Sequence, residues 1–188
     1  MSRPTEVDLT VPGAAWREIA MPAANLAFLA TRLDSVEGEL AMHGRFPAGF
    51  TRPVAGGYQV PEEFLVIEGE LVVSGTTYRR GDLTYVPARH LRTDMSSADG
   101  CTVLAWFGGP AIFHTEDELD GGHWEGLVSV SVLEGRGPLL VARDIEWATT
   151  AGAVGPGVSD LVEDGLRRWR RVSGPTTAVP PALARKRA

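Results

Sequence analysis

The sequence predicts an all-β protein, a sandwich or barrel of short strands with strand extensions at its N- and C-terminal ends. Three observations predict it. Apolar and polar residues alternate with a period of two over stretches of roughly four to eight residues, the pattern of strands with one buried face. These stretches follow one another at short spacing, separated by Gly, Pro and Asp. With Gly 22 and Pro 13 in 188 residues, the chain carries many of the residues that sharp turns need.

Residues 1–15 are polar and broken by proline, and read as an N-terminal arm. The main module spans 16–110. Pro22-Ala-Ala-Asn-Leu26 opens it as a short helical turn or a loop. Glu39-Leu-Ala-Met-His-Gly-Arg-Phe46 alternates and stops at Pro47. Glu63–Ile67 and Glu70–Val73 flank Glu68-Gly69, which reads as a hairpin. Thr76–Arg80 leads through Gly81-Asp82 to Leu83–Val86 and Pro87, and Cys101–Phe107 ends at Gly108-Gly109-Pro110. Residues 111–172 are expected to pack on this module. Gly126–Leu133 and Pro138–Ala142 read as strands in either of two ways: an eroded second copy of the module's opening, or a strand extension added to the module or to a second chain. Ser159–Val172 has the start signal of a helix, while Arg167–Arg171 equally fits an edge strand. Residues 173–188 are proline-rich and end in Arg185-Lys186-Arg187, a tail that is flexible or docked.

Bulk composition excludes several function classes. A net charge of −6 disfavours general binding to nucleic acid or to an anionic membrane. One cysteine, Cys101, permits no internal disulfide and no cysteine-rich zinc site, and fits a reducing cytoplasm. No apolar run approaches the roughly 20 residues of a membrane helix, and the first residues lack the core of a signal peptide. Phosphate-loop, dinucleotide, nucleophile-elbow and zinc-helix motifs are all missing.

The segment 49–96 is more specific. Gly49, Glu62 and Gly69 lie on the frame Gly, five residues, His-x-His, four residues, Glu, six residues, Gly. Gly81 and Pro87 lie on a second frame: Gly, five residues, Pro-x-Gly, two residues, His, three residues, Asn. These paired frames resemble the two motifs of the cupin family. The stretches PEEFLVIEGEL, YRRGDLTYVPARH and DGCTVLAWFGGP are similar to single-domain cupins of the ChrR-like and acetylacetone-dioxygenase-like kind. The resemblance covers about residues 35–110 and implies a jelly-roll β-barrel with its site at one mouth. Cupins of this kind usually hold a divalent iron, manganese or nickel ion there through imidazoles and one carboxylate.

The expected ligands are mostly missing. Ala55 and Gly57 stand at the two histidine positions, Arg92 at the third, Arg89 at the glycine and Ser96 at the asparagine. Ala and Gly offer no side-chain donor, and Arg92 places a permanent positive charge where a cation would sit. Glu62 remains, and an unpaired interior carboxylate is costly. The sequence therefore predicts a Glu62–Arg92 pair in place of the carboxylate–metal contact, with no metal and no cofactor. A different register leaves a non-standard metal site open, built from His43, Glu62 and His90, with Gln59 and Glu63 as further oxygen donors.

The candidate catalytic residues are Glu62, Arg92, His90 and Tyr58. Phe46, Phe64, Tyr85, Trp106 and His43 are the candidate walls of a substrate pocket. A carboxylic acid in an apolar pocket can transfer protons, and a phenol can hydrogen-bond a carbonyl or enolate. The fold is host to many chemistries, so function is read from the site. The expected function is metal-independent cyclisation or isomerisation of a small, polyketide-like organic molecule in natural-product biosynthesis. The alternatives are a metal-dependent dioxygenase or lyase with unusual ligands, and a non-catalytic binder whose mouth is plugged by Arg89, Arg92 and their neighbours. Beyond the small-molecule substrate, the expected partner is a second copy of the chain, joined through edge strands.

Overall fold

Alternation along each strand decides which of two cores its side chains enter. The computed structural model describes residues 5–11, 16–33, 38–134, 138–142 and 145–187. The first strands are β1 (Glu6–Asp8), β2 (Arg17–Ile19), β3 (Phe28–Arg32), β4 (Leu40–Phe46), β5 (Phe50–Arg52) and β6 (Gly56–Tyr58). Then come β7 (Glu62–Val73), β8 (Thr76–Arg79), β9 (Asp82–Val86), β10 (Met95–Ser97), β11 (Cys101–Phe107) and β12 (Phe113–Thr115). The last are β13 (Val128–Ser131), β14 (Pro138–Ala142), β15 (Ile145–Ala153), β16 (Val158–Glu163), β17 (Arg168–Arg171) and β18 (Thr177–Arg187). All recorded pairings between these strands are antiparallel.

The large sheet runs β13-β9-β7-β11-β4-β3-β2, with β8, β10 and β5 attached around the far half of β7. The near half of β7 pairs with β9 and β11, and the far half pairs with β8 and β10. One twelve-residue strand thus serves two half-sheets, which fold over a shared interior of Phe28, Phe46, Phe50, Phe64, Val66, Tyr78, Val103 and Phe107. Gly69 makes the bend. Its φ is +75°, and a Cβ there would stand 2.1 Å from the Gly100 carbonyl oxygen. Glu68-Gly69, expected as a hairpin, is instead a bulged bend inside a continuous strand. The register steps from Thr102↔Glu68 to Val103↔Val66, so Ile67 is the extra residue.

A six-stranded sheet, β1-β17-β16-β18-β15-β14, covers the outer face of β7, β9, β11 and β4. The core between the layers holds Leu65, Leu83, Leu104 and Trp106 from the first sheet and Trp147, Val162, Trp169 and Leu183 from the second. Trp106, Trp147 and Trp169 are buried to within 2 %. Burying an indole contributes on the order of 3–5 kcal/mol, so these three help fasten the layers.

Two expectations for this part are corrected. Ser159–Val172 is not a helix. It forms two paired strands in which Val162 stands opposite Trp169 on the face toward the first sheet, and Asp164, Gly165 and Leu166, all with positive φ, turn β16 back into β17. β17 is not an edge strand either, because β1, from the expected arm, pairs with its free side. The proline-rich segment, expected as flexible or docked, is docked: β18 lies between β15 and β16. Among the described residues no helix is long and apolar enough to cross a membrane.

Candidate functional site

Two strands and one loop place charges inside the barrel, and a third strand adds a phenol. On β7, Glu62, Phe64 and Val66 point to the barrel interior, whereas Glu63, Leu65 and Ile67 point to the second sheet. On β5, Phe50 and Arg52 are fully buried while Thr51 between them is exposed. The segment 89–92 lies against β6: the Arg92 N–H donates to the Gly56 carbonyl (2.8 Å), the Gly56 N–H donates back (2.9 Å), and the Arg89 N–H donates to the Tyr58 carbonyl (2.7 Å). On its other side β6 pairs with β12, so Phe113 stands opposite Tyr58.

Arg92 and Glu62, the pair expected from sequence, form a buried salt bridge, with side chains 7 % and 9 % exposed. The Arg92 guanidinium also lies over the Tyr58 ring, 5.1 Å from its centre. Tyr58 packs edge-on against Phe107 (5.0 Å) and Phe113 (5.7 Å). Burial, the largest influence, would lower the Arg92 pKa, but Glu62, Tyr58 and Tyr78 together outweigh it and the net shift is upward. Burial, then the charge of Glu62, raises the Tyr58 phenol, so the ring stays a neutral donor at physiological pH.

Sequence reading missed Arg52. Its guanidinium is 0 % exposed and stacks 3.8 Å from the centre of the Phe113 ring. None of its three nitrogens makes a well-formed hydrogen bond; the Tyr58 phenol interacts with it at a looser geometry. Burial pushes its pKa down, opposed by Tyr58 and Glu62. The signal was available in the alternation Phe50-Thr51-Arg52, which puts the arginine on the same face as a core phenylalanine.

The remaining candidates divide by strand face. Phe46 and Phe64 line the barrel interior. Tyr85 and Trp106 do not: they belong to the core between the two sheets. The reason is strand parity. On β9, Leu83 and Tyr85 share one face, and on β11, Leu104 and Trp106 share the same layer. His43 shares the parity of Ala41, a residue of that outer core, and packs its ring 4.7 Å from Trp16. Burial lowers its pKa to about 4, so it is neutral near pH 7. His90 is buried beside the barrel mouth, with Nδ1 3.2 Å from the Glu125 carbonyl and its ring against His123. It makes no hydrogen bond to Glu62 or Arg92 among the described contacts. Burial lowers its pKa against the pull of that carbonyl.

The donors do not fit a divalent metal. His43 faces the opposite layer, Glu62 is paired with Arg92, Glu63 is paired across the layers with Arg185, and among the described residues no group of three His, Cys, Asp or Glu side chains is placed to hold a metal ion. The backbone also closes one position where a histidine would stand, Gly57, together with its neighbour Gly56. A Cβ at Gly57 would lie 2.4 Å from the His90 carbonyl oxygen, and one at Gly56 would lie 2.1 Å from the His114 carbonyl oxygen. The ribbon of β6 and β12 occupies that space.

No family model matches the sequence, and no curated protein matches it. Solved structures do. A protein from Nostoc punctiforme, provisionally assigned as a dioxygenase, is 11 % identical with a TM-score of 0.63, over 96 % of this chain and 81 % of that one. An acetylacetone dioxygenase from Acinetobacter johnsonii is 15 % identical with a TM-score of 0.47, over 63 % of this chain and 82 % of that one. A cupin superfamily protein from Desulfitobacterium hafniense is 18 % identical with a TM-score of 0.38, over 43 % of this chain and 75 % of that one. At such identities the likeness is one of fold, and the fold is the cupin jelly roll extended by a second sheet.

Proposed function

We propose that this cupin-fold protein handles a small organic molecule in its barrel without a metal ion, by isomerisation or ring closure at a carbonyl. The observation that supports this is the buried Glu62–Arg92 pair under Tyr58, at the position where a cupin of ordinary sequence would hold its cation. The similar structures carry oxygenase names, but the donor set described above does not fit the metal that a cupin oxygenase would use. Glu62 is the base of this reading. It takes a proton from the carbon next to the carbonyl and returns it at a second carbon, so the substrate is rearranged with no net redox change. Arg92 and the Tyr58 hydroxyl hold the oxygen that becomes negative between the two steps, which is where fixed donors lower a barrier most. The apolar walls hold one folded conformer. His90 orients the loop that carries Arg92.

Phe113, half-buried over Arg52, must swing aside to admit a ligand. That cover favours, as a second reading, a binder without turnover. The test is deuterium uptake into a simple ketone such as cyclohexanone in heavy water, followed by NMR, beside elemental analysis of protein purified without added metal. The expected result is exchange that survives a chelator and falls about a hundredfold or more in Glu62→Gln and Arg92→Met. Binding without exchange would leave the second reading. Stoichiometric iron, manganese, nickel or zinc, with exchange lost on chelation, would overturn both. A homodimer through β2, a three-residue edge strand whose residues are all exposed, belongs to the same reading and is checked by sedimentation.

A further inference from the structure

Arg52 carries an inference that rests on the barrel being the ligand site and goes beyond it. An arginine cannot shed its charge at any physiological pH, since it starts above ~12. Taking an ion out of water is costly unless a partner compensates. Arg92 has such a partner in Glu62. Arg52 has an aromatic face and a phenol, but no carboxylate within salt-bridge distance among the described residues. The described barrel site therefore holds two guanidinium groups, one carboxylate and a neutral phenol, a surplus of one positive charge. Elsewhere in the same molecule a buried guanidinium is treated differently: every nitrogen of Arg185 has an acceptor.

We propose that Arg52 recognises a small organic monoanion, a carboxylate, bound inside the barrel beside Tyr58 and Arg92. One surplus charge matches a monoanion better than a dianion. The guanidinium fork matches two oxygens in one plane. The surrounding rings of Phe113, Tyr58 and Phe107 suit a carboxylate on an apolar body better than a hydrated inorganic ion. The ligand's charge replaces the missing counter-ion, so binding and stability are coupled: what enters the barrel relieves the cost of burying Arg52.

The experiment is a calorimetric titration of the full chain with sodium formate, acetate and benzoate, and with neutral benzamide, at constant ionic strength. Thermal unfolding is followed in parallel. The variants are Arg52→Met, which keeps the apolar stem, and Arg52→Lys. The expected result is saturable binding of at least one carboxylate, with benzoate at least tenfold tighter than benzamide. That binding falls at least tenfold in Arg52→Met and recovers in part in Arg52→Lys. Ligand-free Arg52→Met melts at or above the wild-type temperature, because the uncompensated charge is gone. An arginine with a purely structural role on Phe113 would instead lower the melting temperature when replaced and leave benzoate affinity unchanged. That outcome overturns the proposal, as does absence of saturable binding by all three carboxylates. Benzamide binding as tightly as benzoate, with both lost in Arg92→Met, would overturn the charge selection and leave the barrel as the ligand site.

Discussion

Glu62 and Glu63 are neighbours in sequence and belong to two different buried charge sites. Strand alternation sends Glu62 into the barrel and Glu63 into the core between the sheets. The interlayer site is saturated. Arg185 donates to Glu63 at 2.9 and 2.8 Å and to Glu39 at 3.3 Å, with Asp160 at 3.6 Å, while Trp147 donates to Glu63 at 2.6 Å and Trp169 to Asp160 at 3.0 Å. The barrel site is not. It has two guanidiniums for one carboxylate, and Arg52 lacks a full hydrogen bond. The contrast separates charge that joins two layers from charge that is left available to a ligand.

The sharpest break of that comparison is Arg185→Met. Removing the one buried cation strands three carboxylates that meet there, so unfolding in urea is expected to lose about 3–5 kcal/mol. A loss under about 1 kcal/mol would mean that the interlayer network is not what holds the sheets together, and the two sites would no longer differ in kind. Arg52→Met, by contrast, is expected to be neutral or stabilising.

Next in size is Gly57→Ala. Its Cβ meets the His90 carbonyl oxygen at 2.4 Å, a backbone atom with little room to move. A loss of about 2–3 kcal/mol is expected from overpacking. A variant as stable as wild type would show that the ribbon over the mouth yields easily, and that a histidine there is sterically acceptable.

His43 supplies the smallest effect. It is buried without hydrogen bonds at either ring nitrogen and has its pKa lowered from 6.5 to about 4. Between those values the unfolded chain binds the proton and the folded one does not. Stability is therefore fully present above pH 6.5 and declines as pH falls toward about 4. From pH 7 to pH 5 this group alone removes about 2 kcal/mol. His43→Leu is expected to abolish that part of the pH dependence in urea titrations; an unchanged slope would place the imidazole in contact with water.

The barrel was legible because its motifs are spaced by the geometry of the turns. Gly49, Gly69 and Gly81 all have positive φ, so their positions survive where the metal ligands do not. The Glu62–Arg92 pair was legible for the same reason, since both frames fix facing positions. What escaped was parity across a bend. Tyr85, Trp106 and His43 alternate correctly, but nothing in their local pattern says that a second sheet, rather than solvent, covers the outer face. Part of that sheet was expected to pack on the barrel, but its central strand β18 was hidden because its prolines and basic end read as a tail. Its partners Glu39 and Glu63 lie more than a hundred residues away. Arg52 escaped because a charged residue in a short strand is ordinarily an exposed one.

The central claim, an enclosed surplus of positive charge where cupins usually hold a cation, is tested most directly by anomalous diffraction from one crystal soaked in sodium bromide and manganese chloride. The account predicts a bromide peak inside the barrel beside Arg52 and no manganese at Glu62. A manganese peak coordinated by Glu62, with Arg92 displaced from it, would contradict the account.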